Sequence, residues 1–442
     1  MAMAAVRDPV PAPGSWCGRG TPRSLTVSSQ DRGGAVSQQV TEAEFTEQAQ
    51  RFLEANCRLR EAEKTGWGQG TDSVSIFAEK TRDQELAEVE EAKEWRRKVF
   101  DAGFGWITGP AAYGGRELPS SYERLWQSLE SAYDTPGDGP FGIGLGMIAP
   151  TILAHATDKV KDAYLRSLHR GDIIACQLFS EPSNGSDLAG IQTRAIRDGE
   201  EWVVTGQKVW TSGAQYSDIG EIICRTDPDA PKHKGLTMFV VDMHAPGVEV
   251  RPLRQMTGGA SFNEVFFTEV RIPDDHRLGD VNNGWTVALT TLMNERASIG
   301  SGGAGTGGAM STTRLIELLR HMGRDKDPVL RQQLADIYVN TQVAAYNNQR
   351  AMAKIKAGQL PGPEMSVAKL SLTNNMRRVA EFVGSALGPR LTADDGQWGT
   401  FAWSEYVLGV PGMRVAGGTD EIMKNIVGER VLGLPKEPSG DR

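Results

Sequence analysis

The sequence predicts an α+β protein of several domains, in the order helical domain, antiparallel β-domain, helical domain. Three observations predict it. Apolar residues recur at helical spacing as far as Leu168, five runs rich in β-branched residues lie between Gly171 and Ile272, and helical spacing returns after Pro273. A chain of 442 residues can bury core enough for two or three domains. The expected bounds are 35–170, 171–275 and 276–435, with tails at 1–34 and 436–442.

The N-terminal tail holds Pro9, Pro11, Pro13 and Pro22 among glycines and arginines, without an apolar run, and reads as disordered. It is also Arg-rich and acid-poor, as a mitochondrial transit peptide would be, but the prolines spoil an amphipathic helix. The four cysteines, Cys17, Cys57, Cys176 and Cys224, form no Cys-x-x-Cys pair and suggest a reducing compartment, so a cytoplasmic location is expected, or the mitochondrial matrix if the tail is a transit peptide.

Phe45, Ala49, Phe52, Leu53 and Cys57 recur at helical spacing over Thr41 to Leu59, with Thr41 and Glu44 as a capping box. Helices are expected over Gln84 to Ala102, Ser120 to Ser131 and Ile148 to Leu168. Strands are expected around Ile173–Phe179, Glu201–Trp210, Ile219–Arg225, Leu236–Asp242 and Glu264–Ile272, separated by turns such as Asp198-Gly199 and Ala245-Pro246-Gly247. The last domain should hold helices over Gly284–Ile299, Thr312–Met322, Pro328–Ala357 and Glu364–Leu387.

Charge and composition exclude several functions. A net charge of -8 with no basic block argues against a nucleic-acid or anionic-membrane partner. No run approaches membrane-spanning length, and no His-Glu-x-x-His or cysteine spacing suggests a metal. Gly303-x-Gly305-x-x-Gly308 matches a dinucleotide fingerprint in letters only, because a helix rather than a strand precedes it.

The stretch Gln177 to Ala195 carries the first candidate site. An apolar strand ends at Ser180-Glu181-Pro182, and Ser183-Asn184-Gly185-Ser186-Asp187 then collects turn residues that bend backbone N–H groups toward a common point, the outline of an anion seat. A plain solvated hairpin explains those residues equally well.

Three motifs in order resemble the acyl-CoA dehydrogenase family. They are Phe-Ser-Glu-Pro-x-x-Gly-Ser-Asp at Phe179–Asp187, Val-Thr-Gly-Gln-Lys-Val-Trp-Thr-Ser-Gly at Val204–Gly213, and Gly417-Gly418-Thr419-Asp420-Glu421-Ile422. The resemblance covers about Thr41 to Pro435 and implies the family's fold, an N-terminal helical domain, a middle β-domain and a C-terminal four-helix bundle, with FAD between the last two. It implies α,β-dehydrogenation of an acyl-CoA thioester, with electrons passed to an electron-transferring flavoprotein.

By the same resemblance, the FAD contacts fall on Gln177, Phe179, Ser180, Gly185, Ser186, Trp210, Thr211, Ser212, Thr419 and Glu421, and Ser186 also touches substrate. Trp210 on its own would read as a strand residue filling the core.

The base departs from the family's commonest pattern, because Gly417 stands where most members carry the catalytic glutamate. The isovaleryl and long-chain types place it on a C-terminal helix just before an arginine, and Glu295-Arg296 supplies that pair. Helical spacing aligns Glu295 with Ala288, Leu292 and Ile299, so its carboxylate leaves an apolar stripe that favours the neutral form. The bland alternative is a surface pair worth under ~1 kcal/mol. The resemblance makes Glu295 the catalytic base, Arg296 a residue shaping the substrate site, and the Gly417 N–H a donor to the thioester oxygen.

Arg320-His-Met-Gly323-Arg324 and Glu381-Phe-Val-Gly384-Ser385 depart from the motifs with which family homotetramers reach a neighbour's FAD. The implied assembly is a homo-oligomer, or a hetero-oligomer in which this chain is the Glu-bearing member. Two alternatives share the fold: a flavin oxygenase or oxidase, and a subunit that completes a partner's FAD site.

Overall fold

The computed structural model describes residues 40–61, 67–77, 80–300, 311–356, 362–363 and 365–436, with the backbone alone for 296–300, 352, 355 and 356. The N-terminal tail, Cys17 and the glycine fingerprint at 303–308 lie outside the described residues.

The first helices form around regularly spaced apolar anchors. Helix α1 (Glu42–Asn56) buries Phe45, Ala49 and Leu53 completely, and stops before β1 (Arg58–Leu59). Helix α2 (Arg82–Asp101) is started by a capping box in which the Thr81 hydroxyl accepts from the Gln84 N–H and the Gln84 side chain accepts from the Thr81 N–H. Helix α3 (Ser120–Glu130) follows, and β2 (Tyr133–Asp134) pairs with β1. The helix expected over Ile148 to Leu168 is two helices. A π-helical turn, Gly144–Ile148, runs into α4 (Ala149–His155), and α5 (Asp158–Arg170) restarts behind the cap of Thr157, whose hydroxyl accepts from the Val160 N–H.

All five strand runs form strands, and five further strands were missed in the sequence. The β-domain contains β3 (Ala175–Leu178), β4 (Arg194–Asp198), β5 (Glu201–Ser212), β6 (Ile219–Arg225), β7 (Leu236–Asp242), β8 (Val248–Leu253), β9 (Phe262–Pro273) and β10 (Arg277–Leu278). Their order is β10-β7-β6-β4-β5-β9-β8, with β3 added on β6. The sheet is mixed rather than wholly antiparallel, because β3 and the start of β4 both run parallel to β6. Polarity hid two of the missed strands: Arg194–Asp198 and Val248–Leu253 are mostly exposed or half-buried and lack an apolar run.

The sheet's two faces have different neighbours. Cys176, Leu178, Ile222, Cys224, Phe239 and Val241 meet Val204, Val265 and Phe267 in a core internal to the β-domain. Ala175, Ile219, Ile223, Met238 and Val240 face Ile148, Ile152, Val287 and Ala288 on the helices.

The C-terminal helices are α6 (Gly284–Gly300), α7 (Thr312–His321), α8 (Pro328–Lys356), α9 (Met365–Leu387), α10 (Trp403–Val415) and α11 (Asp420–Ile426). Helix α9 is their shared back, with α6, α8, α10 and α11 packed on it. Pro411 inside α10 and its glycines explain why no helical period announced that element. No described helix is long and apolar enough to cross a membrane.

Candidate functional site

The stretch Gln177–Asp187 begins as β3 and leaves the sheet at Phe179. Its turn is tighter than an open anion seat. The Glu181 N–H donates to the Asn184 carbonyl and the Asn184 N–H to the Glu181 carbonyl, both at 3.0 Å, so these two donors are spent on each other. Gly185 and Ser186 are exposed beyond this bridge, and Asp187 is paired with Lys232 at 2.8 Å.

A buried ion pair fastens the turn to β5. The Lys208 side chain has no exposure, and its Nζ donates to Glu181 Oε1 and to the Phe179 carbonyl, each at 3.0 Å. The Glu181 carboxylate also accepts from the N–H groups of Gln192 and Thr193. Burial alone would raise the Glu181 pKa, but Lys208 and these donors hold it below the ordinary carboxylate value. The Val209 N–H donates to the Ser180 carbonyl at 2.9 Å, completing the link between the two motifs. Sequence reasoning assigned neither Glu181 nor Lys208 a role, though both stand inside the motifs it used.

Two residues past Lys208 the strand bulges, and Trp210 takes φ +61°, a left-handed conformation rare for an aromatic residue. Its indole is 57% exposed and meets Phe262 edge-on at 6.0 Å, so it does not fill the core. Thr211 is buried and Ser212 half-buried. The Gln177 Nε2 and Thr211 Oγ1 atoms are both buried without a hydrogen-bond partner in the protein.

Helix α6 carries Glu295, which is half-buried one turn beyond the fully buried Thr291. Val287 and Ala288 on the same helix pack into the core shared with α4 and the sheet. The Arg296 backbone belongs to α6, and its side chain lies outside the described residues, as does that of Ile299.

The third motif follows α10. Gly417 and Gly418 stand at φ +65° and +91°, both left-handed, so the chain reverses between α10 and α11 where a side chain would strain it. Thr419 caps α11, its hydroxyl accepting from the Ile422 N–H at 3.2 Å, and Glu421 is exposed in that helix's first turn. Between them, the buried Asp420 accepts from Arg414 Nε at 2.7 Å and Thr373 Oγ1 at 2.8 Å, with Lys369 Nζ 3.6 Å away. Burial would raise the Asp420 pKa, but Arg414, Thr373 and Lys369 hold it below its ordinary value. This anchor was also missed in the sequence.

The structure therefore joins the first two motifs directly and sets the Glu295 and Gly417 segments on helices that share α9 as their back. Among the described residues, no group of three or more His, Cys, Asp or Glu side chains is placed to hold a metal ion.

Three family models, the acyl-CoA dehydrogenase N-terminal, middle and C-terminal domains, match residues 69–172, 176–270 and 282–432. The chain belongs to the acyl-CoA dehydrogenase family. The acyl-CoA dehydrogenase IpdE1 of Mycobacterium tuberculosis (strain ATCC 25618 / H37Rv) is 34% identical over 79% of this chain and 90% of that protein. The acyl-CoA dehydrogenase FadE34 of the same strain is 38% identical over 79% of this chain, and the match spans 48% of FadE34, about half its length. Among solved structures, the Tcur3481–Tcur3483 steroid ACAD superposes with a TM-score of 0.68 at 24% identity, covering 89% of this chain and 98% of that one. The ChsE4–ChsE5 complex from Mycobacterium tuberculosis superposes with a TM-score of 0.63 at 24% identity, covering 91% of this chain and 100% of that one. Both likenesses speak for the acyl-CoA dehydrogenase fold.

FAD is the cofactor of the acyl-CoA dehydrogenase family, and oxidation of a CH–CH bond is its chemistry. The residues present fit that cofactor. Buried polar atoms without a protein partner are uncommon, and Gln177 Nε2 and Thr211 Oγ1 lie on the two segments that the Glu181–Lys208 pair fastens together, next to an indole held out of the core.

Proposed function

We propose that the chain catalyses FAD-dependent α,β-dehydrogenation of an acyl-CoA thioester, with Glu295 as the base that takes the α-proton. The observation that carries this reading is the half-buried Glu295 on the apolar side of α6, set against Gly417, which has no side chain to act as a base.

When bound, FAD supplies the acceptor for the β-hydride. The chain's residues hold and surround it: Gln177, Phe179, Ser180, Gly185 and Ser186 from the first motif, Trp210, Thr211 and Ser212 from the second, and Thr419 and Glu421 from the third. Ser186, Arg296 and the Gly417 N–H are the proposed substrate contacts, on the strength of the family resemblance. Glu295 needs an ionised carboxylate to accept a proton and a partly apolar setting to keep that carboxylate basic. The Gly417 N–H is the donor for the thioester oxygen, and a donor of that kind is worth about 3 kcal/mol where charge develops. Asp420, anchored by Arg414 and Thr373, holds that backbone in place.

An electron-transferring flavoprotein is the proposed outlet for electrons, and the working form is an oligomer with like or unlike family subunits. Val339, Val343 and Tyr346 support an oligomer, since they lie along one side of α8 and are 55, 51 and 65% exposed.

The test is a panel of straight-chain, branched and ring-bearing acyl-CoAs added anaerobically to the FAD-loaded protein. Bleaching of the flavin by at least one of them, abolished in Glu295→Gln with FAD still bound, is the expected result. Undiminished bleaching in Glu295→Gln sinks the assignment of the base. Rapid oxygen consumption by the reduced protein would favour an oxidase instead.

A further inference from the structure

One buried acid has no place in the mechanism above. Glu221 interrupts the apolar strand β6, is 0% exposed, and lies on the sheet face turned toward α4 and α6. Its carboxyl oxygens are 3.0 and 3.2 Å from Thr291 Oγ1 on α6. Thr291 Oγ1 is in turn 3.0 Å from Thr151 Oγ1 on α4, and Thr151 donates at 2.8 Å to the Met147 carbonyl in the π-helical turn.

A neutral Glu221 is the state that completes this hydrogen-bonded chain. Three contacts link four groups, Glu221, Thr291, Thr151 and the Met147 carbonyl, and each contact needs one hydrogen. The two threonine hydroxyls supply two, and the carbonyl supplies none. Thr151 donates to Met147, and the Thr291 hydroxyl is within reach to donate either to Glu221 or to Thr151; all three contacts are satisfied together when Thr291 donates to Thr151 and Glu221, as a neutral acid, donates to Thr291.

We propose that Glu221, as a neutral carboxylic acid, is a positioning residue for Glu295, fixing the face of α6 one turn before it through the chain Glu221–Thr291–Thr151–Met147. The proposal rests on Glu295 being the base.

The geometry ties together the parts that must stay in register. Gln177 is the neighbour of Glu221 across the parallel β3–β6 pairing, so one side of Glu221 abuts the strand that leads into the first motif. The other side reaches α6, where Thr291 and Glu295 are four residues apart and therefore share a helix face. A shift of about 1 Å in a reacting group can cost on the order of a hundredfold in rate, so a fixed α6 matters to the base.

Burial pushes the Glu221 pKa up to about 8, and a Thr291 hydroxyl turned to donate to the carboxylate would offset only part of that rise. Of the elements packed around it, α4 presents His155, bonded to Thr290 at 2.8 Å, and α6 presents Glu295. His155 is kept below its ordinary pKa by burial, so it is neutral where Glu221 ionises. Val240 on β7 and Gln177 on β3 bring no charge, and the π-helical turn is Gly-Leu-Gly-Met-Ile. Ionised Glu221 would leave that hydrogen-bonded chain one hydrogen short, and among the described residues no cation offsets its charge.

The test uses the purified FAD-loaded full chain, its Glu221→Gln, Thr291→Val and Thr291→Ser variants, and the acyl-CoA that bleaches the flavin fastest. Infrared spectra as a function of pH should show a protonated-carboxyl band that disappears as pH rises through about 8 and is missing in Glu221→Gln at every pH. Flavin reduction in the wild type should fall above that pH, and Glu221→Gln should lose this alkaline limb. Thr291→Val should slow reduction about tenfold with FAD retained, and Thr291→Ser should restore it to within about twofold.

A wild-type band unchanged in Glu221→Gln overturns the proposal, as does an alkaline limb that survives it. Should Glu221→Gln fail to fold, the Thr291 pair decides: equal rates in the valine and serine variants refute the positioning role. Normal bleaching by Glu295→Gln would instead remove the base assignment and leave the infrared result standing, so the two failures are distinguishable.

Discussion

Lys208 Nζ and Glu181 Oε1 meet at 3.0 Å with the lysine side chain fully buried, and this pair joins the two sequence motifs into one body. Removing one partner of a buried pair strands the other charge, which commonly costs about 3–5 kcal/mol. Glu181→Gln should therefore lower the thermal midpoint sharply and release FAD, while Glu181→Leu combined with Lys208→Met should be less destabilised than either single change. The pH dependence has a definite sign. Glu181 is held below its ordinary value of 4.5, so its contribution is present above that value and is lost as pH falls through the lower native pKa. Thermal unfolding between pH 3 and 7, with flavin release followed by fluorescence, checks both points.

The strained backbone at Trp210 separates stability from binding. A non-glycine residue held at positive φ costs roughly 1–3 kcal/mol, and glycine removes that strain. Trp210→Gly should be about 1 kcal/mol more stable than Trp210→Ala, although both lose the same exposed indole. Both should retain FAD less well than the wild type if the bulge exists to present that ring. Chemical denaturation of the two variants, alongside their flavin content on purification, gives the comparison; an alanine variant as stable as the glycine one would mean that the backbone there relaxes freely.

Much of this was legible in the sequence for reasons that are physical. Phe45, Ala49 and Leu53 announce α1 because a helix buries one face, and Leu236–Asp242 announces β7 because a strand buried on both faces is apolar throughout. The strand end at Ser180–Pro182 left a mark in composition, but the site residues around Ser180 and Trp210 were named through the family resemblance, and nothing in the sequence announced the bulge at Trp210. Glu181, Lys208, Glu221 and Asp420 were not legible as partners, since each becomes informative only when an element far away in sequence closes on it. Glu221 did leave a trace, a single acid in the run Ile219–Cys224, but periodicity reads such a residue as a solvent face. The structure instead gives it Thr291, 70 residues away.

Gly417 should resist conversion into a base. Its φ of +65° costs an L-residue about 1–2 kcal/mol, and Gly418 beside it is left-handed as well. Gly417→Glu placed in Glu295→Gln should lower stability by about 1 kcal/mol and leave flavin reduction at least about a hundredfold below the wild type, the usual contribution of a positioned base. Anaerobic stopped-flow reduction measures this directly. Recovery of wild-type bleaching would show that the loop accommodates a side chain despite its backbone.

Glu221 makes a prediction about stability that does not depend on catalysis. Its pKa is about 8 in the folded chain against an ordinary 4.5, so between those values the native state keeps a proton that the unfolded state releases. The contribution is complete below the unfolded value and is lost as pH rises toward the native one. Wild-type stability should therefore carry a downward component across that window, on the order of a few kcal/mol in total. Glu221→Gln keeps a neutral group of similar shape beside Thr291 and cannot ionise. Its stability should fall less steeply than that of the wild type over the same pH range, and the two curves should cross if the amide satisfies the threonine less well than the acid does at low pH. Parallel curves, obtained by denaturant unfolding at a series of pH values, would mean that Glu221 is already ionised in the folded protein and that the Thr291 hydroxyl donates to a carboxylate.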